Sequence, residues 1–240
     1  MNTADTIPLL LLAVLGICIG MGLALLAWVM ALRRRAIRQK ENDAFLFEFT
    51  PRTGSGERPN LWLAVRTRTT EEVRTALGLD HSTPCSWQEG MKGSHEFFIS
   101  PRVNGWIIIT GLALPNPTDD IDACFMFLTS ISKKLGHVQF FYIDPVWDHH
   151  GWARIDEGCV TRGYAWTGET VWNQGPTTLS ETDLGLRCHP YGDNAATIAD
   201  CEKNVKNIPA LAARWSLDPA DVKNFATEQA TGLAGESAWT

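Results

Sequence analysis

The chain has 240 residues, 45% of them hydrophobic, with 21 Lys and Arg against 27 Asp and Glu for a formal net charge of −6. The charge is uneven: residues 33–74 hold 10 basic against 6 acidic side chains, a balance of +4, whereas residues 75–240 hold 11 against 20, a balance of −9. An acidic body without a basic footprint argues against nucleic-acid binding, and roughly 180 residues beyond the first 60 suffice for one well-buried domain but not for two comfortable ones.

A six-residue tail, residues 1–6 and extracytoplasmic in this reading, precedes Ile7 to Leu32, which run for 26 residues without a charge. At ~1.5 Å per residue such a helix is roughly 39 Å long, more than the ~30 Å hydrocarbon core. Residues 7–32 are therefore expected to form a transmembrane helix, with Pro8 tolerated in its first turn and Trp28 at its interfacial end. A cleaved signal would carry positive charge before the apolar run, and only Asp5 stands there. The cluster Arg33, Arg34, Arg35, Arg38 and Lys40 follows the run. It predicts an inner-membrane location with the N-terminus outside, the main domain in the cytoplasm and the lipid bilayer as a partner. Gly16, Gly20 and Ala24 form a small-residue ridge of the kind that lets two helices approach, a candidate homodimer face, the alternative being that glycines are simply common in membrane helices.

Six cysteines occur: Cys18 within the apolar run, then Cys85, Cys124, Cys159, Cys188 and Cys201, with no CxxC pair. In a cytoplasmic domain they are expected to be reduced thiols. Residues 33–60 read as a basic juxtamembrane segment and a tether. Ala44 to Phe49 is apolar, and TPRTGSGERPN has the proline and glycine content of a linker.

The folded domain is expected over residues 61–230. Leu61 to Arg66 reads as a strand. Thr69 to Leu79 reads as a helix, with Thr69 and Glu72 spaced as a capping box. Ser82 to Gly93 reads as loop. Phe97 to Ser100 and Trp106 to Thr110 form a hairpin through Asn104-Gly105. A helix starts at Asp119, repeats Ile121, Phe125, Leu128 and Ile131 or Leu135, carries Lys133 and Lys134 in its last turn, and stops at Gly136. Strands follow at His137 to Ile143, Gly151 to Ile155, Val160 to Trp166 and Thr170 to Asn173. Ser180 to Leu184 starts a short helix with Ser180 and Asp183 as caps, and Tyr191 to Cys201 is loop. Val205 to Trp215 and Ala220 to Gln229 are helices separated by Asp218-Pro219. Residues 231–240 form a frayed tail. The expected fold class is α+β: the transmembrane helix, then one domain with a mainly antiparallel sheet and flanking helices.

Chemistry-bearing motifs are sparse. There is no GxSxG, GxxxxGK[ST], GxGxxG or HExxH, and no cofactor is expected. Asp148, His149 and His150 cluster near Asp144, but adjacent strand residues point to opposite faces, and Cys159 or Cys188 with His189 lack a ligand spacing, so no metal is expected. The tryptophans Trp62, Trp106 and Trp215 sit in apolar runs and read as core. In the meander from Gly151 to Asn173, tight turns predict that Trp152 faces Tyr164, Arg154 faces Arg162 and Trp166 faces Val171. Two opposed arginines repel unless an anion lies between them. The face Trp152, Arg154, Arg162, Tyr164 and Trp166 is thus a candidate site for an acidic protein or small anionic ligand. In the bland alternative the guanidiniums stack on the rings or pair with Asp156 and Glu157. The opposite face, with Ala153, Ile155, Thr161, Gly163, Ala165 and Trp172, suits helix packing.

NGWIIITG (Asn104 to Gly111), KKLGHVQFFYIDPVWDHHGWARIDEGCVTRGYAW (Lys133 to Trp166) and ARWSLDP (Ala213 to Pro219) resemble an uncharacterised group of bacterial proteins sharing NGWxxxTG, HHxW and RWSxDP patterns. The resemblance implies a bacterial cytoplasmic setting and no activity, cofactor or site. The function expected is a membrane-anchored cytoplasmic interaction or ligand-binding domain, regulatory or immunity-like by analogy of fold alone. Two alternatives stand beside it: a membrane-tethered hydrolase with a Cys-His or Asp-His site near His149 and His150, and a dimeric membrane scaffold.

Overall fold

The computed structural model describes residues 58–67, 69–193, 196–221 and 231–236. Nine strands form one sheet: β1 (Leu61–Val65), β2 (His81–Cys85), β3 (Phe97–Ile99), β4 (Ile107–Thr110), β5 (His137–Asp144), β6 (His149–Asp156), β7 (Cys159–Trp166), β8 (Thr170–Gln174) and β9 (Gly232–Glu236). Their order is β2-β9-β3-β4-β1-β5-β6-β7-β8, every neighbouring pair antiparallel. Among the described residues five helices accompany it: α1 (Thr70–Leu77), α2 (Trp87–Gly90), α3 (Ile121–Leu135), α4 (Leu179–Asp183) and α5 (Ile198–Trp215).

The expected fold class is corrected here. A large antiparallel sheet with few helices carries the domain, and among the described residues no helix is long and apolar enough to cross a membrane. The transmembrane helix expected over residues 7–32 lies outside the described residues, as do Gly16, Gly20, Ala24, Arg33, Arg34, Arg35, Arg38 and Lys40.

Alternation along the strands sends side chains into two separate cores. One face holds Leu63, Val65, Ile99, Ile109, Phe140, Ala153, Ile155, Ala165 and Trp172, packed against α1 and α3 through Val73, Leu77, Cys124, Leu128 and Ile131. The other holds Trp62, Phe98, Ile108, Phe141, Trp152, Tyr164 and Trp166 beneath Ile208, Leu211 and Ala212 of α5. Trp62 is fully buried, whereas Trp106 and Trp215 are only partly so. A sheet apolar on both faces must be covered on both, and that requirement fixes where the helices go. Gly163 is demanded by packing, because a Cβ there would come within 2.5 Å of the Trp172 ring.

Local chemistry accounts for most element ends. Thr69 accepts a hydrogen bond from the Glu72 amide at the start of α1, and left-handed Gly78 ends it. Asn104 (φ 50°) and Gly105 (φ 87°) turn the β3–β4 hairpin as the dipeptide predicts. Asp120, one residue past the expected start, caps α3.

Four expectations are revised. The stretch expected as loop from Ser82 contains β2 and α2. The expected frayed tail supplies β9, which pairs with β2 on one side and β3 on the other. The cap of α4 is Thr178, whose side chain and that of Glu181 form a capping box, rather than Ser180 or Asp183. Helix α5 begins at Ile198, capped by Thr197, inside the expected loop. Of the helix expected over residues 220–229, residues 222–229 lie outside the described residues. Asp218 forms an ion pair with Arg58 and accepts a hydrogen bond from the Ala220 amide at 3.0 Å.

Candidate functional site

The two arginines of the meander do face one another. Trp152 pairs with Tyr164 and Arg154 with Arg162, while a bulge after Ala165 sets Trp166 opposite Thr170 instead of Val171. The face is not open. Helix α5 and residues Leu184, Leu186 and Cys188 that follow α4 pack over it, and Trp152, Arg162, Tyr164 and Trp166 are all buried.

Arg162 is 1% exposed and finds its anion within the chain. Its Nε donates to Glu181 Oε1 at 2.8 Å and Oε2 at 3.1 Å, and Nη2 lies 2.8 Å from Oε1. Nη1 donates to the carbonyls of Gly163 and Gln174 and to Asn173 Oδ1, and Nη2 to the Cys188 sulfur at 2.9 Å. Glu181 is fully buried, and Trp152 Nε1 donates to it at 2.7 Å. Thr178 donates to its other oxygen from both backbone and hydroxyl. Burial alone would raise the Glu181 carboxyl. The Arg162 hydrogen bonds and charge, with the Thr178 donors, outweigh it and hold the group below the usual carboxylate range. Burial also pushes the Cys188 thiol up to about 12, leaving it a protonated packing group rather than a nucleophile.

A second buried node stands two residues before Trp152. His150 donates from Nδ1 to the Asp148 carbonyl at 2.8 Å and accepts from Asn204 Nδ2 at 2.9 Å, which fixes its tautomer. Asn204 also holds the Arg187 amide and carbonyl. Burial, then the neighbouring His149 and His189, lower His150 to about 4 against the pull of the Asp148 carbonyl. Neither His149 nor His150 shares a hydrogen bond with a cysteine or carboxylate side chain among the described residues, and no group of three metal-ligating side chains occurs there. The Cys-His contact that does form, Cys85 Sγ to His95 Nε2 at 3.6 Å, was not singled out from sequence. Its thiol is raised, by burial first and Glu89 second, so it is not activated.

Arg154 differs from its partner. It is half-buried and stacks over the Trp215 ring, 5.3 Å from the centroid. Among the described residues no carboxylate pairs with it. Its Nε is enclosed without an acceptor, although the residue as a whole is half-exposed. Across the strand pair lies Gln139, 1% exposed, whose Nε2 donates to the Trp215 carbonyl at 3.1 Å and to His137 Nε2 at 3.0 Å, while its Oε1 is buried without a partner. His137 is in turn bonded to Asp156 and packs edge-on against Trp106.

The residues that sequence reasoning missed are Glu181, Gln139 and the stacking role of Trp215. The Thr178-x-x-Glu181 spacing is a capping-box signal that could have placed the carboxylate, and a Glu folded into the domain needs a cation. Comparisons with known proteins add nothing to these assignments: no family model, no curated protein and no solved structure matches this chain.

Two outcomes are expected. Glu181→Ala strands a buried guanidinium and costs on the order of 3–5 kcal/mol in urea unfolding, while Glu181→Leu combined with Arg162→Met costs far less; a single-variant loss under about 1 kcal/mol would contradict the assignment. His150, neutral in the folded chain down to about pH 4 but not when unfolded, gives stability present above pH 6.5 and lost as pH falls toward 4, on the order of 3 kcal/mol across that window. His150→Gln removes this slope, and a wild-type profile flat to pH 4.5 would refute it.

Proposed function

We propose that the domain is a binding module whose contact with its ligand is made through Arg154. The observation that carries this reading is the asymmetry of the arginine pair. Arg162 has an internal carboxylate and a full set of acceptors. Arg154 has neither, yet its charge is partly withdrawn from water and walled by Trp215. A half-buried cation without a counterion is an unfavourable arrangement that an incoming anion relieves. The guanidinium offers that anion a flat, charge-assisted fork of donors. What favours binding over catalysis is the state of the nucleophile candidates: raised thiols at Cys85, Cys124, Cys188 and Cys201, and a His150 already committed to Asn204.

The binding test is a thermal-unfolding series on the full chain in acetate against chloride at matched ionic strength. A ligand at one hundred times its Kd stabilises by about 2.7 kcal/mol. The wild type is expected to gain stability in acetate and Arg154→Gln to gain none. Equal shifts in both proteins, or none in either, would remove the proposal.

The setting we propose is the cytoplasmic side of a cell membrane. Support for it is confined to sequence: the uncharged run Ile7 to Leu32 followed by Arg33, Arg34, Arg35, Arg38 and Lys40. The protein is then expected to sediment with membranes and resist carbonate extraction, and recovery in the soluble fraction would refute the location.

A further inference from the structure

The surroundings of Arg154 say which kind of anion suits it; the step rests on the binding reading just given. Three features set the local charge. Arg162, the next cation across the sheet, is neutralised by Glu181. The helix end nearest the guanidinium is the C-terminus of α5, where Trp215 is the last residue, and a helix C-terminus carries partial negative charge. Asp156, two residues along the same strand and on the same face, adds a carboxylate held by His137. Arg154 itself offers one positive charge, and a negative helix end and an acid beside it match one negative charge better than two.

Shape adds a second restriction. Trp215 lies under the guanidinium, and His137, which pairs with Asp156 along the same strand pair, packs edge-on against Trp106, so an indole ring lines one side of Arg154. A cleft of about 530 Å³ lies elsewhere, between α1 and α3, with Thr67, Glu71, Thr75 and Lys134 in its lining, and Arg154 does not line it. Small-molecule sites are concave and enclose most of their ligand, whereas Arg154 is a half-exposed strand residue held against one indole ring. A group presented by a larger chain, with its own apolar flank to lie on that ring, fits this surface.

We infer that Arg154 and Trp215 receive a singly charged carboxylate carried by a polypeptide next to an aromatic or apolar residue, and not a phosphate dianion. The outer nitrogens of Arg154 hold the carboxylate oxygens, and the neighbouring apolar side chain packs on the indole.

The test is equilibrium dialysis of the full chain at pH 7.5 against three probes with a common ring: N-acetylphenylalanine, its neutral amide and phenyl phosphate, whose second ionisation is near pH 6. The carboxylate is expected to bind at least about tenfold more tightly than either of the others. Arg154→Gln and Arg154→Lys are expected to lose that preference, with retained thermal unfolding showing that both are folded. Phenyl phosphate binding as tightly as the carboxylate, in an Arg154-dependent manner, overturns the inference and leaves the binding reading standing. Binding of no probe, or binding unchanged in both variants, overturns both.

Discussion

An arginine at 1% exposure cannot be enclosed before its counterion is in place, and the second half of this domain is arranged around that constraint. Arg162 projects from the middle of β7 into an apolar layer of Trp152, Tyr164 and Trp166. Only Glu181 answers it, and Glu181 reaches it because the capping box at Thr178 fixes the first turn of α4 at that height. Helix α4 is five residues long and could not hold itself in water. The ion pair and the Trp152 hydrogen bond tie it to the sheet, and Asn207 and Arg214 of α5 tie it to the longer helix. Packing of the second core and satisfaction of one charge are therefore a single event.

The same arrangement separates two residues that look equivalent in the chain. Arg154 and Arg162 are cross-strand neighbours of one type, yet one is an internal strut and the other a half-exposed cation on an indole ring. The difference lies in which helix end stands above each. Above Arg162 is the first turn of α4, with its carboxylate; beside Arg154 is the last turn of α5, which offers only backbone carbonyls and a ring. Polar groups in the second core that are fully matched, such as His150 with Asn204, are structural for the same reason.

Much of the central sheet was legible from sequence because its signals are local. Turn dipeptides, capping spacings and strict alternation placed β1, β3 to β8 and α3 and set Trp152 opposite Tyr164 and Arg154 opposite Arg162. What failed was non-local. HSTPC in β2 contains a proline and little apolar surface, and three of the five residues of GLAGE in β9 are glycine or alanine, so neither reads as a strand alone. β2 is a strand because β9 supplies its hydrogen bonds, and β9 because β2 and β3 flank it. The openness of the arginine face was likewise undecidable locally, because strand registry says which side chains share a face and nothing about what lands on it. The one-residue bulge that put Thr170 opposite Trp166 has no sequence mark either.

The position of β9 also constrains the order of folding. It is the last described strand in the chain, yet it sits between β2 and β3, which precede it by well over a hundred residues. During synthesis β3, β4, β1 and β5 to β8 can assemble as a contiguous block, while β2 has no edge to join until residue 236 has emerged. Until then the β3 edge is an unpaired template beside buried Phe97 and Phe98, a surface on which nascent chains associate wrongly. Closing that gap is a long-range step with a high loop-closure cost, so the slow phase of folding is expected to be the insertion of one short, small-residue strand.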